Sequence, residues 1–155
     1  MKKFVDLINE TLPNVTEIFP WDLEEELKKN PNLLLLDIRE PYEFEPMHIK
    51  GSINVPRGIL EMACEWGYEE TVPELATARD RETVIICRSG NRSVLAAFIM
   101  QLLGFKNVMS LKTGLRGWND YELKLVDNND KEVDIEVADD FFDTKVSPEQ
   151  MPPKN

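Results

Sequence analysis

The chain has 155 residues, 42% hydrophobic and 30% charged, and carries a formal net charge of −11. That length suits one domain with a full hydrophobic core. The composition is that of an ordinary globular protein, no apolar run approaches the roughly 20 residues of a membrane helix, and the negative balance argues against nucleic acid and anionic membrane surfaces as partners.

Phe4, Leu7, Ile8 and Leu12 fall on a helical stripe, so residues 1–14 read as a short amphipathic helix that ends before Pro13. The start is basic, but Asp6, Asn9 and Glu10 interrupt any apolar signal core. Val15 to Phe19 reads as a short strand. Pro20 opens a helix that is acidic early and basic late, as the helix dipole favours, and Asn30-Pro31 stops it. Leu33 to Leu36 is an uninterrupted apolar strand that ends in Asp37. Ile53 to Val55 is a further strand. Gly58 to Trp66 reads as a helix with Ile59, Met62, Ala63 and Trp66 on one face, and Gly67 to Arg81 is expected to wall the mouth of a site.

Thr83 to Ile86 is a second strand of the fully buried kind, and it ends at Cys87. Arg88, Ser89, Gly90 and Asn91 are turn formers or polar, and from Arg92 the apolar positions return at helical spacing through Leu103 to a stop at Gly104. Val108 to Leu111 makes another strand. Ten acidic residues and two lysines lie between Asp120 and Asp143, so this segment alone carries −8 and the remainder is close to balanced. Within it, Leu123 to Val126 and Val133 to Val137 either form a hairpin about Asp127 to Asp130, or Asp134 caps a short helix carrying Ala138, Phe141 and Phe142. Ser147 to Asn155, with three prolines, reads as a loose tail. The alternation of strands and helices predicts an α/β domain with a central, mainly parallel sheet and helices on both faces.

The join at Cys87 is where chemistry is expected. A helix N-terminus offers unpaired N–H groups and partial positive charge, Arg88 and Arg92 add two full charges, and Gly90 lets the backbone turn its amides inward. Such a setting favours a thiolate, the nucleophilic form of cysteine. Cys64, the second of two cysteines, is either a resolving partner or plain packing, and a lone helical cysteine beside apolar neighbours is more often packing. Two cysteines, one of them in the reactive loop, argue against a disulfide framework and fit a reducing, cytoplasmic setting. His48, the only histidine, reads as structural, because an arginine-rich loop needs no general base to make a thiolate. Asp37 and Arg39 share the strand-end edge with Cys87 and are expected to support its loop. No cluster has metal-ligand spacing.

The run Cys87-Arg88-Ser89-Gly90-Asn91-Arg92-Ser93 resembles the active-site loop of the rhodanese-like sulfurtransferases. Asp37-Ile38-Arg39, Glu43-Phe44 and His48 to Pro56 resemble that family's upstream signature, and Gly114 to Trp118 its closing motif. Met47 and Leu115 stand where the family usually has glycine. The resemblance implies the rhodanese fold over residues 15–125, flanked by the helix at 1–14 and an acidic extension at 126–155. It implies that Cys87 takes sulfane sulfur from a small anionic donor such as thiosulfate, a polysulfide or a low-molecular-weight persulfide. The sulfur is held as a persulfide and passed to a thiol, to cyanide or to a sulfur-carrier protein. Arg88, Ser89, Gly90, Asn91, Arg92 and Ser93 would bind substrate, with Arg92 on the persulfide and Arg88 on the donor, and no cofactor is required. Two other readings are a cysteine-based phosphatase or arsenate reductase, whose loop has five residues between cysteine and arginine where this chain has four, and a docking module without catalysis.

Overall fold

The runs of apolar residues without alternation become strands covered on both faces. In a computed structural model that describes residues 1–154, β1 spans Thr16–Ile18, β2 Leu34–Asp37, β3 Ile53–Asn54, β4 Thr83–Ile86 and β5 Val108–Leu111. They form one sheet in the order β1-β5-β4-β2-β3, and every pairing is parallel. Every residue of β2 and β4 is buried. The two-residue period of a strand divides their side chains between two cores. Leu34, Leu36 and Ile85 face one, and Leu35, Val84 and Ile86 the other.

The first core is closed by α4 (Leu60–Ala63), α5 (Pro73–Ala76) and α6 (Arg92–Leu102), with Leu60, Leu75, Ala97 and Met100 pointing inward. Helix α1 (Phe4–Thr11) lies against α6 and buries Ile8 and Thr11. The second core is closed by α2 (Pro20–Lys29), α7 (Gly114–Asp120) and α8 (Ile135–Phe142), through Leu23, Leu115, Trp118, Ala138 and Phe142. A short α3 (Pro41–Phe44) lies in the crossing from β2 to β3. No helix among the described residues is long and apolar enough to cross a membrane.

Three segments differ from the reading of the sequence or decide it. The helix expected over Gly58 to Trp66 is a 3-10 turn followed by one α-turn, and its buried face is Leu60, Ala63 and Cys64, while Trp66 is 62% exposed. The stretch from Gly67 to Arg81 does not wall the site. Its Leu75 and Ala78 enter the first core, and hydrogen bonds from Lys106 N–H to Arg79 O and, just after the stretch, from Leu34 N–H to Glu82 O fix its end at the amino end of the sheet, opposite Cys87. In the acidic segment, Asp134 caps α8 by accepting from Glu136 N–H at 2.9 Å. A tight turn at Asp127 to Asp130 is present as well, closed by a single antiparallel bridge between Val126 and Glu132.

The expected boundary at residue 125 falls within packed chain. Leu125 and Val126 are buried, and Val126 also bridges His48. Asn119 donates to Asp139 at 2.6 Å, and Phe142 is 2% exposed against the second core. Ser147 onward is exposed through Lys154, with one 3-10 turn at Pro148–Gln150, and Asn155 lies outside the described residues. A core aromatic truncated to alanine destabilises by about 3–5 kcal/mol, an exposed helical position by under about 0.5. Phe142→Ala is therefore expected to lower the urea midpoint sharply while Val137→Ala leaves it in place, which equilibrium unfolding followed by circular dichroism checks.

Candidate active site

Strand β4 stops at Ile86 and α6 starts at Arg92, so Cys87 to Asn91 must turn the chain between them. Cys87 is 1% exposed. Its sulfur receives the N–H of Gly90 at 3.1 Å and that of Ser93 at 3.4 Å. The thiol donates to Ser93 Oγ at 3.3 Å, and that hydroxyl lies 2.7 Å from Ser110 Oγ on β5. N–H groups aimed at one atom stabilise negative charge there.

The turn needs Gly90. Its φ is +85°, and a Cβ there would stand 2.9 Å from Thr113 N and 3.1 Å from Leu111 O. The first two loop carbonyls are taken by α7. Cys87 O accepts from Leu115 N–H at 3.0 Å and Arg88 O from Arg116 N–H at 2.9 Å, both in the first turn of α7. Gly114 makes that approach possible, since a Cβ on it would be 2.6 Å from backbone atoms of Cys87 and Arg88.

The two arginines are held differently. Both terminal nitrogens of Arg92 donate to the Glu43 carboxylate at 3.0 Å, a bidentate pair that pushes Arg92 above its ordinary value. Arg92 was expected to face the persulfide as a cation, but the fork of its guanidinium is engaged by Glu43. Arg88 forms no ion pair among the described residues, and its Nη2 donates to Phe142 O, at the end of α8, at 2.7 Å. Burial of the Glu43 carboxyl works to raise its pKa. Hydrogen bonds from Arg92 and the Glu40 N–H, with the charges of Arg92 and Arg39, outweigh burial and hold the carboxyl below its ordinary value.

Asp37 and Arg39 are both wholly buried. Arg39 Nε and Nη2 grip the Asp37 carboxylate at 2.9–3.1 Å, while the other donors reach Glu43 O at 3.0 Å and Met47 O at 2.7 Å. The pair therefore fixes the backbone that presents Glu43 to Arg92. His48 stacks on Phe44 at 3.8 Å, and its Nδ1 lies 2.8 Å from Phe44 O. Cys64 is buried in the first core, where burial pushes its thiol up to about 11.

Above Cys87 is a pocket of about 230 Å³ lined by Arg88, Ser89, Asn91, Arg92 and Phe4. Sequence reading assigned Glu43 and Phe4 no role here. The spacing Glu40-x-x-Glu43 does mark a helix start, which the structure realises as a capping box. Nothing local marks its partner 49 positions on, and Phe4 reaches the pocket only because α1 docks on α6.

Residues 20–121 match the family model described as a rhodanese-like domain. The chain belongs to the rhodanese-like domain family. A putative mitochondrial thiosulfate sulfurtransferase of Schizosaccharomyces pombe is 32% identical over 117 residues, covering 71% of this chain and 82% of that protein. A sulfurtransferase of Allochromatium vinosum is 30% identical over 112 residues, covering 72% and 95%. The putative sulfur carrier protein YrkF of Bacillus subtilis is 32% identical over 110 residues, and this chain spans 54% of its length. Among solved structures, a Rhodopseudomonas palustris protein of unknown function, described as a possible tyrosine phosphatase, superposes with a TM-score of 0.70 at 27% identity, covering 79% of this chain and 92% of that one. Distant relatives of this rhodanese-like chain are thus named sulfurtransferases.

Because the folded pKa of Glu43 lies below its ordinary 4.5, its contribution to stability is complete above that value and is lost as pH falls through the folded pKa. With Arg92 about a third exposed, Glu43→Gln is expected to lower unfolding free energy by roughly 1–2 kcal/mol at pH 7. The deficit should shrink on acidification below pH ~4. Paired urea titrations across pH measure both.

Proposed function

We propose that the protein is a sulfurtransferase in which Cys87 is the nucleophile. The observation that carries this reading is that the loop amides of Gly90 and Ser93 converge on the cysteine sulfur itself. In the first half-reaction the Cys87 thiolate attacks the sulfane sulfur of the donor. The donor's S–S bond breaks, and with thiosulfate the electron pair leaves on sulfite. The product is a Cys87 persulfide with its negative charge on the outer sulfur, held beside inward amides. In the second, an acceptor thiolate or cyanide attacks the outer sulfur, and the S–S electron pair returns to Cys87.

Arg88 is the residue for an anionic donor. It lines the pocket and has no carboxylate partner among the described residues, so its charge is not neutralised locally. Arg92, Glu43, Arg39 and Asp37 act through the backbone, keeping the loop in the shape that aims its amides at sulfur. Ser89, Asn91 and Ser93 complete the pocket and its floor. The physiological acceptor is a thiol or a sulfur-carrier protein, the setting a reducing cytoplasm in which Cys64 and Cys87 stay free thiols.

A phosphatase cradle has to hold an oxyanion with its amides. Here the four-residue spacing brings them onto the sulfur, which favours transfer of sulfur over hydrolysis of a phosphate ester. Steady-state transfer from thiosulfate to cyanide is expected to vanish in Cys87→Ser and to persist in Cys64→Ser, whose thiol is seldom ionised at neutral pH. Arg88→Ala should raise KM for thiosulfate with kcat little changed, the mark of lost ground-state binding. Equal loss in both cysteine variants, or phosphate-ester hydrolysis outrunning sulfur transfer, would overturn the assignment.

A further inference from the structure

Beside the cysteine pocket lies a second, larger cleft of about 490 Å³, walled by Phe19 and Trp21 at the start of α2, by Ser89 of the loop, and by Arg116, Asp120 and Tyr121 on and just after α7. The two cavities share Ser89. Two residues of chain span at most about 7 Å, so the Ser89 backbone that the cavities share lies within that distance of the Cys87 backbone. The pocket over Cys87, about 230 Å³, has room for little beyond a sulfur-bearing end, whereas sites for whole organic ligands run roughly 300–1,000 Å³.

The walls of the cleft are unusual for a protein surface. Phe19 and Trp21 stack at 4.6 Å and 10°, and Trp21 meets Tyr121 at 5.1 Å and 49°. All three residues remain partly exposed, Trp21 by 41% and Tyr121 by 53%, so three aromatic side chains gather at one place on the surface. Cations flank them. Lys112 Nζ sits 4.9 Å from the Phe19 ring centre, and Arg116 donates to Thr144 Oγ1 at 3.2 Å; neither forms an ion pair among the described residues. Arg116 and Asp120 are the two charged residues on the wall, so the lining itself is balanced; Arg116, which no carboxylate pairs among the described residues, is the cation it offers to an anion.

We propose that this cleft binds the organic body of the small-molecule thiol that exchanges sulfur with Cys87, and that the body it takes carries a planar ring and a negative charge. The inference rests on the sulfurtransferase reading for its chemistry. The ring lies against Trp21 and Tyr121, the anion meets Arg116, and the thiol passes Ser89 to the Cys87 pocket. There its thiolate attacks the outer sulfur of the Cys87 persulfide, the S–S bond breaks with its electron pair on Cys87, and the acceptor leaves as a persulfide.

The test compares two acceptors of like carboxylate and alkyl thiol, 4-(2-mercaptoethyl)benzoate and 3-mercaptopropionate, with thiosulfate as donor. The wild type is expected to show the lower KM for the ring thiol. Trp21→Ala is expected to raise the ring thiol's KM relative to 3-mercaptopropionate by about tenfold, the scale of one aromatic contact, while Trp66→Ala, exposed and not part of the cleft lining, leaves the ratio as it was. Arg116→Gln should raise the ring thiol's KM relative to 2-phenylethanethiol, which lacks the charge. Equal KM values for the ring thiol and 3-mercaptopropionate in the wild type, or an unchanged ratio in Trp21→Ala, would overturn the proposal. Should no sulfur reach any acceptor, cyanide included, the sulfurtransferase reading falls. The cleft is then decided by calorimetric titration of 4-(2-mercaptoethyl)benzoate into Cys87→Ser. Saturable binding abolished by adding Trp21→Ala supports it, and no binding overturns it.

Discussion

Two backbone hydrogen bonds tie the start of the cysteine loop to α7. Leu115 N–H and Arg116 N–H take the carbonyls of Cys87 and Arg88, and a peptide whose carbonyl is turned toward α7 cannot also point it at the sulfur. The peptides so fixed carry the N–H groups of Arg88 and Ser89, and the turn that follows them brings the N–H groups of Gly90 and Ser93 onto the Cys87 sulfur. That arrangement depends on contact too close for any side chain, with Gly114 against the Cys87 and Arg88 carbonyls and Gly90 against the backbone ahead of α7. The chemistry assigned to the sulfur thus follows from a steric condition at two glycines on either side of one packing contact.

The charged residues around the loop serve the same end by a different route. A chain of pairs runs from Asp37 through Arg39 to the Glu43 backbone, and from the Glu43 carboxylate to Arg92 at the head of α6. The wholly buried Asp37–Arg39 pair contributes little net stability over an apolar substitute, but removing one of the two leaves a charge stranded at a penalty of roughly 3–5 kcal/mol. Its effect here is to fix the crossing from β2 to β3 against the start of α6. Arg88 has no carboxylate partner among the described residues, and its anchor is the carbonyl at the end of α8. A helix outside the matched span of residues 20–121 thereby orients an arginine of the site.

Much of this was legible in the sequence. The unbroken apolar runs at Leu33 to Leu36 and Thr83 to Ile86 read as doubly covered strands, which the fold bears out, and the polar, glycine-bearing turn after Cys87 marks a strand-to-helix join. The resemblance in the cysteine loop led to the family. Relations between distant residues were not legible. Nothing local in Glu43 tells that its partner is Arg92, nor in Phe4 that a terminal helix will bring it over Cys87. The face of the Gly58 to Trp66 segment was misread because a 3-10 turn shifts the phase of the helical period, sending Cys64 inward and Trp66 out. The acidic segment offered hairpin and helix signals together, and the fold uses both because the turn at Asp127 to Asp130 is short enough to precede the Asp134 cap. Met47 and Leu115, the two departures from the resembled motifs, are both buried and fill the second core with side chain.

The central claim is that Cys87 carries sulfur covalently between donor and acceptor. Brief exposure of the folded, reduced protein to thiosulfate without acceptor, read by intact-mass spectrometry and peptide mapping, addresses it directly. The account predicts a gain of one sulfur atom, located on Cys87 and removed by cyanide. No gain in mass with thiosulfate, with polysulfide or with glutathione persulfide would contradict it.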